Sequence, residues 1–304
     1  MNPKYTLEYA ASLPKFERSV SWLCWAYNEE ELIGDYLLRA NELLQKTVVD
    51  YEIVVIDDCS TDRTNAIILG LQERIPQIRL FRNEQNLNVG LSSIRAIQSA
   101  SKEFLFWQTI DWAYDIRMLR VFLELLNECD IVAGVRRAPV VVADRISWVK
   151  PFLAFGHLFG IKHLTRRSDT VGKALVSLFN YALIRLIFRV PLSDYQNVVF
   201  YPTKLIQSIR YEARSSFVNP EGLLKCHWRG ASIVEVPIPF IPRSAGEAKG
   251  TRFKAIYTSV SDIFRHWWQW IVLGRRERVT RGAIRRLIPE EWDTPSKSTR
   301  ITTR

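Results

Sequence analysis

The sequence has few of the residues that build disulfide frameworks and zinc clusters. It holds four histidines and four cysteines in 304 residues, and the cysteines (Cys24, Cys59, Cys129 and Cys226) form no CxxC pair. We therefore expect neither a zinc cluster nor structural disulfides, which fits a reducing compartment. Thirteen glycines and thirteen prolines without a period exclude collagen-like and low-complexity architecture.

Long hydrophobic runs are also missing. No stretch reaches the ~18 uninterrupted apolar residues from which a membrane-spanning helix is read. The two nearest candidates, 148–161 and 174–190, are interrupted by Lys150 and His157 and by two arginines. The first residues, MNPKYTLEYAASLPKFER, contain no apolar core of the kind a signal peptide carries. We expect a cytoplasmic protein that lies on a membrane, if it meets one, without crossing it.

What the sequence does have is positive charge and enough length for a large core. Lysine and arginine number 42 against 32 acidic residues, a formal net charge of +10. This balance indicates an anionic partner, and charge alone leaves nucleotide, phospholipid and nucleic acid open. The length suits one large α/β domain with an appendage, or two modest domains.

Strand and helix signals alternate along the first half of the chain, which is typical of a parallel sheet with crossover helices. We predict strands over 20–26, 52–56, 78–82, 103–107 and 130–135, and helices opening near Asn28 and over 64–74, 89–101 and 116–126. Ser60 or Thr61 is predicted to cap the second helix. Beyond this half, we predict an apolar helical region over 138–190, strands over 197–202 and 233–239, a helix over 203–211, and an edge strand or connector at the proline-interrupted segment 237–242.

Polar clusters follow three of the predicted strands: Tyr27-Asn28-Glu29, Asp57-Asp58 and Asp111. In an open parallel sheet, ligands bind beyond the carboxyl ends of the strands. Any one cluster could be a turn or a helix cap. Three at successive strand ends favour a pocket whose acceptors could bind a nucleobase and ribose.

Seven segments carry a family resemblance. SWLCWAYNEEELI, EIVVIDDCSTDRT, NLNVGLSSIRAIQSA, FLFWQTIDWAYD and DIVAGVRR, in this order and spacing, resemble family 2 glycosyltransferases of the GT-A fold. VPLSDYQN and EVPIPFIPRSAGEAKG are similar to the polyprenyl-phosphate sugar transferases of the dolichyl-phosphate mannose synthase type. The resemblance covers residues 18–255, which implies an α/β GT-A domain between an N-terminal extension, 1–17, and a Trp-rich basic helical tail, 256–304.

The resemblance also implies site residues. The base and ribose would be bound by Ala26, Tyr27, Glu29 and Asp58. Asp111 would be the last acid of the metal motif, and Asp194 would lie near the reaction centre with Gln196. The acceptor would meet Arg136, Lys173 and Ser177, and Arg243 and Lys249 would belong to a loop that closes on the donor diphosphate.

Three departures from the family pattern bear on the chemistry. Trp25 replaces a proline, Cys59 replaces a glycine, and 109–113 (TIDWA) replaces Asp-Ala-Asp-x-Gln. One carboxylate of two remains, so Mg²⁺ or Mn²⁺ would be held by Asp111, substrate phosphates and water. Asp115 and Gln108 are candidate substitutes for the missing ligand, or else ordinary turn residues.

The implied activity is inverting transfer of a sugar from a UDP- or GDP-linked donor to a polyprenyl phosphate at the cytoplasmic membrane face. Two alternatives stay open: transfer to a hydroxyl of a glycan or small molecule, and a catalytically weak protein that binds sugar nucleotides. A phosphate acceptor is already anionic near neutral pH, whereas a hydroxyl would need a base such as Asp194.

The C-terminal tail combines tryptophan with arginine. Trp267, Trp268 and Trp270 precede a cluster of arginines that begins at Arg275, as in helices that lie in the interface of an anionic membrane. The alternative is a helix packed on the domain with a solvated basic face. No RNA-binding motif accompanies the tail, so we expect no nucleic-acid partner. If the tail only binds lipid, truncation after Ser261 should leave nucleotide binding intact.

Overall fold

The computed structural model describes residues 7–137, 171–239, 241, 253–276, 280 and 282–287. For 136–137, 171–179 and 253–256 it describes the backbone alone. Of the predicted site residues, Arg243 and Lys249 lie outside the described residues. Arg136, Lys173 and Ser177 are described by their backbone only.

Eight strands form one sheet. In chain order they are β1 (Val20–Ala26), β2 (Tyr51–Asp57), β3 (Ile78–Arg82), β4 (Phe104–Trp107), β5 (Ile131–Arg137), β6 (Val199–Pro202), β7 (Ile233–Pro239) and β8 (Ile284–Arg286). Their order across the sheet is β3-β2-β1-β4-β6-β5-β7-β8. All neighbours are parallel except β6, which is antiparallel to β4 and β5. The carboxyl ends of β1 to β4 therefore meet along one edge, as the alternating pattern predicted.

The strands are buried on both faces, and alternate residues enter two separate cores. Trp22, Cys24 and Ala26 of β1 pack on one side, whereas Leu23 packs on the other. The same alternation places Ile53 and Val55 opposite Val54 and Ile56 in β2. Successive side chains of a strand point to opposite faces, so nearly continuous apolar runs are what a doubly covered parallel sheet requires.

Helices cover both faces. The first core is closed by α2 (Ile33–Thr47), α3 (Thr64–Gln72) and α5 (Leu119–Glu124), and α1 (Leu7–Ser12) lies beside α5. The second core is closed by α4 (Asn88–Ser99), α6 (Val171–Phe188), α7 (Thr203–Gln207), α8 (Val218–Trp228) and α9 (Phe253–His266). A 3₁₀ turn, Leu125–Asn127, follows α5, and a π-helical turn, Trp267–Val272, continues α9. No helix among the described residues is long and apolar enough to cross a membrane.

The C-terminal segment packs on the domain. Trp270 is 1% exposed and contacts the rings of Phe188, Phe217 and Trp228 at centroid distances of 5.6–6.3 Å. Ile263 and His266 are fully buried beside it. The helix α9 runs continuously through residue 255, and β8, which belongs to the tail suggested by the sequence, joins the sheet.

Several local predictions differ from the structure. The helix expected near Asn28 begins at Ile33, because residues 29–32 form a turn in which Glu29 O accepts from the N–H of Ile33 (2.9 Å). Neither Ser60 nor Thr61 caps α3; Asp62 Oδ1 accepts from the N–H of Thr64 at 2.9 Å. The helix α8 was not predicted at all. The proline-interrupted strand β7 pairs with β5 along its whole length but with β8 only over Ile233–Glu235, so its prolines lie where β8 leaves it uncovered.

Candidate functional site

The loops that follow β1 and β2 interlock at the carboxyl edge of the sheet. Asn28 Oδ1 accepts from the N–H of Thr61 (2.9 Å), and the N–H of Asn28 donates to Ser60 Oγ (3.0 Å). The N–H of Glu29 donates to Thr64 Oγ1 at 2.8 Å. Asn28 has a φ of +53°, a left-handed conformation that asparagine tolerates better than most residues. The two loops therefore form one rigid polar rim.

Asp58 is the central acceptor of this rim. It is 4% exposed, and its Oδ1 accepts from Asn83 Nδ2 (2.6 Å) and from the N–H of Leu87 (2.8 Å). Its Oδ2 accepts from the N–H of Asn88 at 2.9 Å. Asp58 thereby binds the first N–H groups of α4, where a carboxylate is favoured by the helix dipole. A carboxylate offers about four lone pairs, so one acceptor position on Oδ2 is left for a ligand.

Asp57 and Cys59 hold the turn on either side of Asp58. Asp57 is fully buried and accepts from the N–H of Ser60 (2.9 Å) and from Asn65 Nδ2 (2.9 Å), while Arg82 lies 3.4 Å away. Cys59 has a φ of +64°. Side chains other than glycine pay a steric cost in this region, which explains why a glycine suits the position. Cys59 keeps the turn geometry at the expense of local strain.

Predicted nucleotide-site residues lie along this rim. Ala26 is buried and its carbonyl accepts from the N–H of Asp58 at 2.8 Å. Tyr27 is 37% exposed and Glu29 is part-buried at the same rim. The structure thus gathers Ala26, Tyr27, Glu29 and Asp58 at adjacent strand ends. Asn83, which follows β3, belongs to the same network; it was missed although it stands directly after a predicted strand, the position that drew attention to the others.

The segment after β4 carries Asp111 on a tight turn. The N–H of Trp112 donates to Thr109 O (3.0 Å), and Trp112 has a φ of +50°. Its ring packs edge-on to Trp22 (5.6 Å) and beside Tyr36 (5.7 Å). Tyr36 is fully buried and donates to Gln108 O at 2.9 Å. The aromatic cluster anchors the turn in the core and so fixes the backbone on both sides of Asp111.

The buried environment of this turn determines the protonation of Tyr36. Burial raises the pKa of the Tyr36 hydroxyl well above its ordinary value, and the nearby Cys24 and Asp111 add to the effect. The phenol therefore stays protonated and keeps donating to Gln108 O. Tyr36 is thus a fixed support of the turn that carries Asp111.

The two candidate substitutes for the missing metal ligand are engaged elsewhere. Asp115 forms a bidentate pair with Arg117 (2.9 and 2.6 Å). Gln108 is 2% exposed; its Nε2 donates to Tyr114 O (2.7 Å) and its Oε1 accepts from the N–H of Thr109 (2.9 Å). Among the described residues no group of three or more His, Cys, Asp or Glu could hold a metal ion. The remaining donor chemistry, one carboxylate oxygen at the strand edge, fits a hard cation that takes its other ligands from a diphosphate and water.

The Asp194 segment lies against the Asp111 segment. Tyr114, three residues after Asp111, donates its hydroxyl to Gln196 O at 2.9 Å. Asp194 is 2% exposed, and its Oδ1 accepts from the N–H of Gln196 at 2.9 Å. The chain segments that carry Asp111 and Asp194 are therefore in contact, although the two residues are far apart in sequence.

A buried carboxylate fixes the segment that leads into Asp194. Glu235 of β7 accepts from the N–H of Ser193 (2.5 Å), from Ser193 Oγ (3.0 Å) and from Arg286 Nε (2.8 Å). Arg286 also donates to Pro191 O. Burial raises the pKa of Glu235, while the Ser193 N–H and Arg286 oppose that rise. Sequence reasoning missed this pair; the only signal was a glutamate inside an otherwise apolar strand.

Known proteins resemble the chain in sequence and in fold. A dolichol-phosphate mannosyltransferase of Pyrococcus furiosus is 25% identical over 248 residues, covering 81% of this chain and 63% of the relative, so the chain spans less than two thirds of that protein. A mannosyltransferase from Pyrobaculum calidifontis, solved with GDP-Man and Mn²⁺, superposes with a TM-score of 0.54 at 14% identity, covering 90% of this chain and 75% of that one. Glucosyl-3-phosphoglycerate synthase from Mycobacterium tuberculosis, solved with Mn²⁺, UDP-Glc and phosphoglyceric acid, gives 0.52 at 14% identity, covering 88% and 85%.

The fold likeness confirms the α/β GT-A architecture that the sequence predicted. The sheet edge described above, where the polar rim and the two acidic segments converge, lies mostly within residues 21–194. These residues match glycosyl transferase family 2 and make up more than half of the 304 residues. The chain belongs to glycosyl transferase family 2.

Proposed function

We propose that the protein is an inverting glycosyltransferase that moves a sugar from a UDP- or GDP-linked donor to a polyprenyl phosphate at a membrane face. The observation that carries the proposal is the convergence of three elements at one sheet edge: the Asp58 rim, Asp111 and the Asp194 segment. The link from Tyr114 to Gln196 joins the last two. The similarity to a dolichol-phosphate mannosyltransferase supports the class of acceptor.

On the donor side, the base would lie against Tyr27 and meet the remaining acceptor position of Asp58. Glu29 would face the ribose hydroxyls. The rim is rigid before any ligand binds, because its backbone N–H groups are already satisfied by Ser60 and Thr64. A preformed site loses little conformational entropy on binding. Two solved neighbours were crystallised with GDP-Man and UDP-Glc, which supports a nucleotide-sugar donor here.

In the transfer itself, an oxygen of the acceptor phosphate forms a bond to the anomeric carbon as the bond from that carbon to the diphosphate oxygen breaks. The attack comes from the opposite face, so the configuration inverts. The acceptor oxygen is already anionic, so no strong base is needed, and Asp194 would orient the acceptor or the sugar. Arg243 and Lys249, from the resemblance, are the proposed partners of the leaving diphosphate, with Arg136, Lys173 and Ser177 proposed for the acceptor phosphate.

Asp111 is the residue we propose to hold Mg²⁺ or Mn²⁺ together with the donor diphosphate. Bound there, the ion would supply charge stabilisation to the leaving group. Asp111 is suited to this because the packing of Trp112 and Tyr36 fixes its backbone. The Mn²⁺ in both solved neighbours supports the proposal.

A membrane location is supported by the surface of α9 and its continuation. Tyr257, Phe264 and Trp268 are 65%, 46% and 53% exposed and are spaced seven and four residues apart, which puts them on one side of the helix. Trp268, and not the buried Trp270, is therefore the tryptophan we propose for the lipid interface. We infer a protein peripheral on the cytoplasmic membrane face.

The decisive experiment measures transfer of labelled sugar from GDP-mannose and from UDP-glucose to a polyprenyl phosphate in detergent, with and without Mn²⁺. Extraction of label into the organic phase with one donor is the expected result. Asp111→Asn is the matched inactive variant, and Asp115→Asn is its control because Asp115 is occupied by Arg117.

A second arm offers 3-phosphoglycerate as the acceptor, since one solved neighbour was crystallised with it. Label in the aqueous product and none in the lipid would show that the acceptor is a soluble hydroxyl compound and not a lipid phosphate. Donor binding without transfer to either acceptor would favour a sugar-nucleotide-binding protein of weak activity.

A further inference from the structure

Two cavities lie on the second face of the sheet and share Arg210 and Glu212 in their walls. The first has a volume of about 540 Å³ and is lined by residues of α4, of α9 and of the loop that follows α7. The second has a volume of about 480 Å³ and is lined by that loop, α8 and the segment after α9. Together we call them the basic cleft, defined by Arg210, Arg214, Lys225, Arg265, Arg275 and Arg276.

Among the described residues, the positive charge of the basic cleft is only partly balanced by carboxylates. Three carboxylates pair with two of its six cations: Asp262 with Arg265 (2.8 Å), and Glu212 and Glu221 with Lys225 (2.9 and 2.7 Å). Within the described part of the chain, the side chains of Arg210, Arg214, Arg275 and Arg276 make no hydrogen bond or ion pair. Most other described arginines are paired, so unpaired guanidinium groups are concentrated here.

A buried polar atom at the same place also lacks a partner. His266 lines the first cavity and is fully buried; its Nδ1 lies 2.6 Å from Asp262 O, which only accepts, so Nδ1 carries the proton. His266 Nε2 has no hydrogen-bond partner among the described residues. Buried polar atoms are nearly always satisfied by protein, water or ligand. The wall of the cleft thus holds unpaired guanidinium donors for a phosphate, and an unpaired acceptor at Nε2 that a water or a hydroxyl group would satisfy.

The apolar row of α9 runs directly beside the cleft. Arg265 and Gln269 line the cleft, and Phe264 and Trp268, the preceding residues, are exposed. Successive helix positions are about 100° apart, so the basic and apolar rows are neighbours along the helix. Val272 and Leu273 continue the exposed apolar surface up to Arg275. Cationic pocket and apolar ridge together match a phosphate headgroup with acyl chains attached.

We propose that the basic cleft binds the phosphate of an anionic phospholipid, with the exposed apolar row lying against the acyl region. The inference rests on the proposed function only in placing the protein at a membrane. The guanidinium fork matches phosphate oxygens in a bidentate way, which a lysine does not reproduce. In this proposal the basic cleft anchors the enzyme at the membrane and takes no part in the transfer reaction.

The test is co-sedimentation of the full chain with phosphatidylcholine vesicles, alone or containing phosphatidic acid or phosphatidylserine. Arg210→Gln with Arg214→Gln should weaken binding to phosphatidic acid vesicles about 30-fold, from the roughly fivefold that each basic residue contributes near an anionic surface. Arg39→Gln with Arg74→Gln removes the same charge elsewhere and should leave binding unchanged. All of these arginines are exposed, and thermal melting checks that the variants fold.

The double variant Arg210→Lys with Arg214→Lys distinguishes a specific phosphate-binding site from general electrostatic attraction to the membrane. It keeps the charge, so vesicle binding should persist while the preference for phosphatidic acid over phosphatidylserine is lost. Inorganic phosphate should compete with the vesicles better than chloride at equal ionic strength. Equal losses in the Arg39–Arg74 control, an unchanged preference in the lysine pair, or phosphate binding without vesicle binding would each overturn the proposal.

Sugar transfer to detergent-dispersed polyprenyl phosphate, measured on the same preparations, keeps the two proposals apart. Normal transfer by variants that no longer bind vesicles supports a separate anchoring cleft. If the wild-type protein binds vesicles but transfers no sugar, the proposed acceptor is contradicted, whereas the proposal for the basic cleft is supported. Loss of transfer in detergent by the Arg210–Arg214 pair would mean that the cleft belongs to the reaction site, which contradicts the proposal.

Discussion

The fully buried carboxylate of Glu235 accepts a hydrogen bond of 2.8 Å from Arg286, and the same carboxylate holds the N–H and hydroxyl of Ser193. Arg286 belongs to β8, the last described strand, and Ser193 immediately precedes Asp194. The pair thus connects the C-terminal edge of the sheet to the candidate reaction site. A mutation of Arg286 in β8 should therefore alter the position of the segment that carries Asp194.

Arg286→Ala should lower the free energy of unfolding by roughly 3 kcal/mol, because it leaves the Glu235 charge buried without its cation. The loss should depend on pH. Burial already raises the pKa of Glu235, and removing Arg286 raises it further. A carboxyl whose pKa is raised on folding destabilises the fold as the pH climbs above its unfolded value, so the difference from wild type should be larger at high than at low pH. Urea titrations across that range measure it.

The control for this prediction is the double variant Glu235→Gln with Arg286→Ala, which has no buried charge to lose. Compared with the single variant Glu235→Gln, its loss of stability should be nearly independent of pH across the same range. A pH-independent loss in Arg286→Ala alone would show that the guanidinium acts only through its bond to Pro191 O.

Asp58→Ala should affect both folding and ligand binding. The three donors it satisfies, including the N–H groups of Leu87 and Asn88, would be left without their acceptor. We expect about 1–3 kcal/mol of lost stability, the range for buried unsatisfied donors, and a loss of nucleotide affinity of about 1.5–3 kcal/mol. Calorimetry with GDP and UDP on the folded variant measures the second term; full affinity there would confine Asp58 to capping α4.

Asp111→Asn should leave the melting temperature close to wild type and reduce turnover by roughly 10²-fold or more, the size of effect seen when one charge-stabilising group is removed. Activity in wild type should fall on adding EDTA and return with Mn²⁺. Asp115→Asn removes a carboxylate four residues away that Arg117 already occupies, so its turnover should stay within a few-fold of wild type. Activity that ignores EDTA would exclude the proposed metal role of Asp111.

Most strands were predictable because their apolar runs are bounded by polar residues, and β1, β3 and β7 have the bounds that were predicted. The first residues of the helices were less predictable. Asn28 and its acidic neighbours have the sequence of a first helical turn, but hydrogen bonds to Ser60 and Thr64 hold them in a loop. The helix α8 has weak amphipathicity because nearly all of its residues are buried, so no polar face marked it.

Site residues that act through long-range contacts were the least predictable. Asp58 and Asp111 stand at strand ends and were named from the sequence. Glu235 and Arg286 are 51 residues apart, and their pairing depends on β8 joining β7. The strand β8 has only three residues, and their sequence pattern is too weak to predict a strand. The tail was ambiguous for the same reason, because the pattern of tryptophans alone does not tell which ring faces the core.

Trp268 and Trp270 form a natural matched pair for the tail, two residues apart with opposite environments. Trp270 is 1% exposed, and its Nε1 donates to Glu212 at 3.2 Å, whereas Trp268 is 53% exposed. Trp270→Ala should lower the free energy of unfolding by about 3–5 kcal/mol, the cost of emptying a large aromatic site in a core. Trp268→Ala should change it by less than about 0.5 kcal/mol, as exposed substitutions do, and should weaken binding to vesicles.

Truncation after Ser261 would therefore remove Ile263, His266 and Trp270 from the second core along with β8. Contrary to the expectation drawn from the sequence, such a protein should lose cooperative unfolding, and nucleotide binding should be lost with it. Thermal melting followed by calorimetry with nucleotide decides this. A truncated protein that melts cooperatively and binds nucleotide as the full chain does would mean that the segment after Ser261 is dispensable to the fold, and the burial of Trp270 would then carry little of its stability.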